Sequence, residues 1–172
     1  MRRSDPGPAA GTERIIGIDP GLASTGWGLV DRRQGRLLHV GHGCIRTGAG
    51  QPPAERLLAI MRAVRELLDE YVPARAAVEI LYFGKNVSSG IPVAQARGVV
   101  FATLAERGIP VAEFRPNAIK QGVCGVASAD KAQVQQMVRI LLGLAEPPES
   151  DHAADALAAA ICAANSSGIS LP

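Results

Sequence analysis

Acidic side chains stand at the ends of two predicted strands, where residue type and position together allow chemistry. Asp19 directly follows the apolar run 15–18 and precedes Pro20-Gly21, a strong turn signal. Glu79 ends a second short apolar stretch in the same way. Because these strands are predicted to be parallel neighbours, both carboxylates are expected at the same edge of one sheet.

A third source of acidic groups lies near the end of the sequence. The segment Ser150-Asp-His-Ala-Ala-Asp155 is predicted to begin the last helix. His152 lies three residues and Asp151 four residues before Asp155, so either can share a helical face with Asp155. Three carboxylates and one imidazole are therefore expected to converge on one site.

Such a cluster is typical of a metal-dependent hydrolase. Crowded carboxylates repel one another, and a bound divalent cation relieves the repulsion. Open, oxygen-rich sites suit Mg²⁺ or Mn²⁺, and two ions about 3.5–4 Å apart promote in-line attack of water on a phosphodiester. Each residue also has a structural alternative: Asp19 could form only an Asx-turn, and Asp151 and Asp155 could be acids favoured by the helix dipole. His152 could simply be exposed. Because the acidic groups and His152 all fall in elements that can meet at one site, the combination favours catalysis.

The remaining pattern predicts the elements that position these groups. Strands are predicted over Arg14–Asp19, Thr25–Asp31, Arg36–Thr47, Arg75–Glu79 and Ile109–Phe114. A long helix is predicted after the break Gln51-Pro52-Pro53, ending near Val72, and a second helix is predicted over Ile91–Arg107. A helical turn is predicted over Asn117–Gln121. Two further helices are predicted, one capped by Ser128 or Asp130 and one from Ser150 to about Ala164. A meander followed by right-handed β-α-β crossovers gives an α/β fold with a five-stranded mixed sheet flanked by helices on both faces. This order of elements matches the ribonuclease H-like fold.

Composition and length set the class of protein. The 172 residues are expected to form one domain over 14–165, with a disordered extension at 1–13 and a frayed tail at 166–172. The formal net charge of +2 permits a nucleic-acid partner without arguing for one. The three cysteines are widely spaced without a C-x-x-C pair, which is typical of reduced thiols. No stretch is apolar enough for a bilayer span or a signal peptide, so a cytoplasmic protein without membrane contact is expected.

Several stretches in the same order resemble the RuvC family of Holliday junction resolvases, over about residues 14–165. They are GIDPGLASTGWG, GCIRT, VEILYFGKN, QARGVV, IKQGVCGVASADKAQVQQMV and DHAADALA. The resemblance places the catalytic and metal-binding quartet of the family on Asp19, Glu79, Asp155 and the residue three before it. That residue is Asp in many members and is His152 here. Asp151, one residue further round the helix, is the alternative to His152.

The resemblance also implies an activity and its partners. The enzyme would be a crossover junction endodeoxyribonuclease, which nicks opposed strands of a four-way DNA junction symmetrically in recombination and repair. It would use two Mg²⁺ ions per active site, with Mn²⁺ able to substitute, and would act as a homodimer with the RuvA and RuvB branch-migration proteins. Lys120 and Lys131 match positions that hold phosphates near the scissile bond, and Tyr82 matches an aromatic that stacks on a splayed base. The alternative for this loop is that Tyr82 or Phe83 packs over the core of the domain. Lys85 and Arg115 are further phosphate candidates.

Alternatives remain for the dimer and for the function. The predicted helix Ile91–Arg107 is apolar nearly all round and is the candidate dimer interface, unless it is simply a core helix of the domain. A RuvC-like nuclease acting on structured RNA and a catalytically inactive junction-binding module are the rival functions. An actin-like ATPase or sugar kinase would need a second domain of the same kind.

Overall fold

The structure is a computed structural model that describes residues 8–81 and 87–166, without the side chains of residues 87–89. The strands in this part of the chain are β1 Thr12–Asp19, β2 Ser24–Arg33, β3 Arg36–Arg46, β4 Arg75–Glu79 and β5 Val111–Phe114. The helices are α1 Pro53–Tyr71, α2 Val87–Glu106, α3 Pro116–Cys124, α4 Lys131–Leu142 and α5 Asp151–Asn165. The strands form one sheet in the order β3-β2-β1-β4-β5. Strand β1 pairs antiparallel with β2 and parallel with β4, so the sheet is mixed.

The sheet is covered on both faces. On one face α1 and α2 pack against Ile16 and Ile18, and on the other α3, α4 and α5 pack against Ile15 and Val30. Because successive side chains of a strand point to opposite faces, the continuous apolar run of β1 contributes to both cores. The predicted α/β architecture, a five-stranded mixed sheet between two layers of helices, is confirmed.

Helix α5 lies directly on β1 and β2 because small residues meet on both sides of the contact. A Cβ atom on Gly17 would stand 2.8 Å from the carbonyl carbon of Ala156 and 2.9 Å from the amide nitrogen of Ala160. A Cβ atom on Gly26 would stand 2.8 Å from the Cβ of His152. These separations are well inside the ~3.5–4.0 Å of a favourable carbon contact. The alanine-rich helix therefore comes closest to the sheet where the strands carry glycine.

Helix α2 begins earlier than the sequence pattern predicts. It starts at Val87, whereas the pattern predicts a loop through Gly90 and a helix from Ile91. Pro92 lies inside the helix, where it removes one backbone donor without ending the element. The predicted start of this helix is therefore wrong, and the part of the predicted loop at 82–86 lies outside the described residues.

Three smaller boundaries also differ or are decided by the structure. Strand β1 starts at Thr12, two residues inside the predicted extension. Helix α3 continues through Cys124, where the pattern predicts a loop from Gly122, and its C-cap is Gly125 with a left-handed φ of 75°. Asp130, rather than Ser128, caps α4. Its side chain accepts a 2.9 Å hydrogen bond from the backbone amide of the third helical residue.

The three cysteines, which lie in the described residues, are free thiols. Among the described helices, none combines the length with the apolar character that a membrane span requires.

Candidate active site

Asp19 and His152 meet where β1 ends and α5 begins. The Nδ1 atom of His152 lies 2.6 Å from the Oδ2 atom of Asp19, within hydrogen-bonding distance. Among the described residues, His152 is the hydrogen-bond partner of the Asp19 carboxylate. The alternative that Asp19 forms only an Asx-turn is therefore wrong. The bare backbone at Gly26 allows this meeting, since a side chain there would push the first turn of α5 away.

The turn after Asp19 is fixed from the neighbouring strand. Thr25 is fully buried, and its hydroxyl donates a 2.7 Å hydrogen bond to the carbonyl oxygen of Gly21. The same oxygen atom of Thr25 accepts a 3.3 Å hydrogen bond from the amide of Gly21. The Pro20-Gly21 turn is thereby tied to β2, and the direction of the strand-end carboxylate follows from it.

Glu79 and Asp155 join Asp19 at the same edge of the sheet. Glu79 and Asp155 line a cavity of about 190 Å³ together with Lys120 and Lys131. Asp19, Glu79 and Asp155 also line a cavity of about 160 Å³. The two cavities share two carboxylates, so the three acidic residues predicted from scattered segments do converge in space.

Burial makes this edge unfavourable for so many carboxylates. It raises the pKa of Asp19, an effect that the hydrogen bond and the charge of His152 partly offset. The pKa of Glu79 is raised by burial and then by the charges of Asp19 and Asp155, against an opposing effect of Lys120. The pKa of Asp155 is raised mainly by burial, and the charge of Lys131 partly offsets this increase. The cluster therefore carries negative charge that its own surroundings do not fully compensate.

Lys131 and Asp151 form a pair beside this cluster rather than within it. The Nζ atom of Lys131 lies 3.0 Å from Asp151 Oδ2 and 3.6 Å from Asp155 Oδ2. Gln135 donates a further 2.8 Å hydrogen bond to Asp151 Oδ1. The hydrogen bond to Lys131 is the main reason that the pKa of Asp151 is lowered. Of the two candidates for the fourth position, His152 contacts Asp19, whereas Asp151 is directed towards α4.

The donor set fits a divalent cation, although its atoms are not yet gathered around one point. In the described residues no three His, Cys, Asp or Glu side chains form a group that could hold a metal ion. Within the set His152 contacts Asp19, and Lys131 lies 3.6 Å from Asp155. The Glu79 carboxylate has no hydrogen-bond or ion-pair partner within that part of the chain. Three carboxylates at one edge present the oxygen ligands that Mg²⁺ and Mn²⁺ prefer.

The predicted nucleic-acid contacts separate into three groups. Lys120 and Lys131 line the cavity that holds Glu79 and Asp155, which places two cations beside the acidic cluster. Arg115 is the exposed N-cap residue of α3 and does not line this cavity. The remaining predictions, Tyr82 and Lys85, lie outside the described residues.

Sequence reasoning missed two residues that shape the site. Thr25 fixes the turn after Asp19, as described above. Arg97 lines the 160 Å³ cavity and donates a 2.7 Å hydrogen bond to the backbone carbonyl of Glu79. The one available signal for Arg97 was a long charged side chain inside an otherwise apolar helix.

One side of α2 belongs to the core of the domain. Ala96, Val100 and Leu104 are fully buried in the core cluster that also includes α1. Ile91, at the other side of the helix, is 51% exposed. The core-helix alternative therefore accounts for one side of α2, and the dimer interface stays a prediction for the other.

Known proteins that resemble this chain share one description. A family profile described as "Crossover junction endodeoxyribonuclease RuvC" matches residues 15–163. A protein of that description from Chloroflexus aggregans is 52% identical over 149 residues, which cover 87% of this chain and 91% of the relative. One from Treponema pallidum is 48% identical over 156 residues, covering 91% and 80%. The solved structure "T. thermophilus RuvC in complex with Holliday junction substrate" has a TM-score of 0.83 at 34% identity, covering 87% of this chain and 92% of that one.

Proposed function

Because the chain belongs to the RuvC family of crossover junction endodeoxyribonucleases, we propose that it resolves four-way DNA junctions by hydrolysing a phosphodiester in each of two opposed strands. The observation that carries this proposal is the convergence of Asp19, Glu79 and Asp155 at one sheet edge, with His152 in contact with Asp19. Two lysines stand beside these carboxylates, as a phosphate-binding site requires. The comparison with a junction-bound relative covers nearly the whole of that relative.

Nucleases of this family are metal-dependent. We propose Mg²⁺ at two positions, with Mn²⁺ able to replace it, held by Asp19, Glu79, His152 and Asp155. Bound ions of this kind lower the pKa of an attacking water and neutralise the leaving oxygen. The carboxylates supply the negative charge that holds such cations, and His152 must be neutral to act as a ligand through a ring nitrogen.

The lysines have a role that the acidic residues cannot perform. A phosphodiester that approaches three carboxylates is repelled unless positive side chains offset their charge. Lys120 and Lys131 lie on the same cavity wall as Glu79 and Asp155, so their ammonium groups can hold the phosphate next to the cluster. Such contacts position the strand and increase affinity without reading its sequence.

Symmetrical nicking of a junction requires two active sites, and we propose that a homodimer supplies them. The exposed side of α2, which includes Ile91, is the proposed interface. We also propose a cytoplasmic location and association with RuvA and RuvB. Sedimentation of the parent and of an Ile91→Asp variant tests the interface: the variant is expected to be monomeric and to lose paired nicking.

The decisive experiment compares three substrates. A mobile four-way junction, a linear duplex of the same sequence and a folded RNA are incubated with Mg²⁺ or Mn²⁺, using the parent and Asp19→Asn. We expect paired nicks in the junction alone, made by the parent alone. Preferential cleavage of the RNA would replace DNA with RNA as the substrate. Junction binding without any nicking by the parent would identify an inactive binding module.

A further inference from the structure

Arg97 is held by three partners next to the acidic cluster. Its Nη1 atom donates a 2.7 Å hydrogen bond to the backbone carbonyl of Glu79, and its Nη2 atom forms an ion pair with the Glu113 carboxylate. Its guanidinium carbon lies 4.4 Å from the centre of the Phe101 ring, a cation–π contact. The side chain is only 15% exposed. Contacts from β4, β5 and α2 therefore determine where this guanidinium lies.

These partners connect Arg97 to the end of the strand that carries a catalytic carboxylate. Glu79 is the last residue of β4 and pairs with Phe114 of β5, while Glu113 pairs with Val78. Arg97 bridges the two strands by binding the carbonyl of one and the carboxylate of the other. The hydrogen bond to the Glu79 carbonyl holds the backbone at the end of β4, and this backbone sets the direction of the Cα–Cβ bond from which the carboxylate extends.

We propose that Arg97 is a positioning residue that fixes the Glu79 carboxylate in the active site and does not bind the DNA phosphate. The inference depends on the proposed function only in assigning catalysis to Glu79. The charge of Arg97 is already balanced by Glu113, and its two terminal nitrogens are both engaged. Lys120, by contrast, lines the cavity beside Glu79 with no carboxylate partner among the described residues.

The planar fork of arginine is the property that this role requires. A guanidinium binds two acceptors in fixed directions, whereas a lysine ammonium is a point charge on a flexible stem. Arg97→Lys therefore keeps the charge but loses the bridge between β4 and β5. Glu113→Gln keeps an acceptor for Arg97 but loses the ion pair, so it should weaken the same effect without abolishing it.

Junction nicking by Arg97→Lys tests the proposal. We expect kcat to fall about 10–100-fold, as is usual when a residue that orients a metal ligand is changed. The KM for the junction should be unchanged, as should the slope of binding affinity against salt concentration. The matched control is Arg65→Lys, which alters an exposed Arg–Glu pair with Glu106 on the other side of α2 and should behave as the parent.

Three outcomes would overturn the proposal. A parental kcat in Arg97→Lys would remove the positioning role, and a lower melting temperature with parental kcat would make Arg97 merely structural. Weaker binding with a salt slope reduced by about one would instead indicate a phosphate contact. If Arg97→Lys does not fold, Glu113→Gln provides the same comparison. If the parent nicks no junction, the melting temperature measured at increasing Mn²⁺ concentration still tests the positioning role. Arg97→Lys should require more Mn²⁺ than the parent for the same rise in melting temperature.

Discussion

Replacing Gly26 with alanine tests whether the close approach of α5 to the sheet creates the active site. The added Cβ would lie 2.8 Å from the Cβ of His152 and nearer still to its backbone carbonyl. Since carbon contacts are favourable at ~3.5–4.0 Å, either the first turn of α5 or β2 must move by about 1 Å. The obstacle is backbone in a packed helix, so it cannot be relieved by rotating a side chain.

Two magnitudes follow for Gly26→Ala, and they differ in kind. Overpacking of this sort costs about 1–3 kcal/mol of unfolding free energy, which leaves a domain of ordinary stability folded. A displacement of about 1 Å at a catalytic group can cost about 100-fold in rate. We therefore expect a folded protein with a slightly lower melting temperature and kcat for junction nicking reduced about 100-fold.

The assay is junction nicking at saturating metal, together with thermal unfolding of the same preparations. Gly50→Ala is the matched control, because a Cβ at Gly50 meets nothing within 4 Å. It should leave both measurements unchanged. If Gly26→Ala folds and cleaves at the rate of the parent, then the position of His152 against Asp19 does not control catalysis, and the reasoning is refuted.

The remaining predictions concern charge. Glu79→Gln should raise the melting temperature of the metal-free protein and abolish nicking, because burial and two neighbouring carboxylates raise the pKa of Glu79. A carboxyl group with a raised pKa in the folded state favours folding below its ordinary pKa, and this contribution is lost as the pH rises through the folded value. In urea unfolding of the metal-free parent, the free energy of unfolding should therefore decline as the pH rises from the ordinary pKa through the folded-state pKa of Glu79. The decline should be smaller in Glu79→Gln, and equal declines in the two proteins would contradict this prediction. Lys131→Gln should weaken junction binding and reduce the salt slope by about one, measured by titration at several salt concentrations. His152→Ala should lose metal-dependent nicking while Asp151→Asn retains it, and the reverse result would assign the fourth ligand to Asp151.

Local sequence determined most of the secondary structure and the identity of the acidic residues. The apolar run that ends at Asp19 and the short strand that ends at Glu79 are readable because burial on both faces leaves a continuous apolar pattern. Their meeting at one edge follows from the order of elements, since parallel neighbours share an edge. The start of α2 was not readable, because Pro92 resembles a helix start and the helix tolerates it in its interior.

The tertiary structure decided which side chains reach the site. Asp151 and His152 are adjacent polar residues at the start of α5, and only the rotation of that helix determines which one contacts Asp19. That rotation is set by Ala156 and Ala160 packing on Gly17 and by His152 packing on Gly26, contacts that join residues more than 120 positions apart in the sequence. The hydrogen bond from Arg97 to the backbone carbonyl of Glu79 likewise depends on the packing of α2 beside β4 and β5. Sequence patterns describe what each element buries, whereas the relative rotation of packed elements depends on the shapes that meet between them.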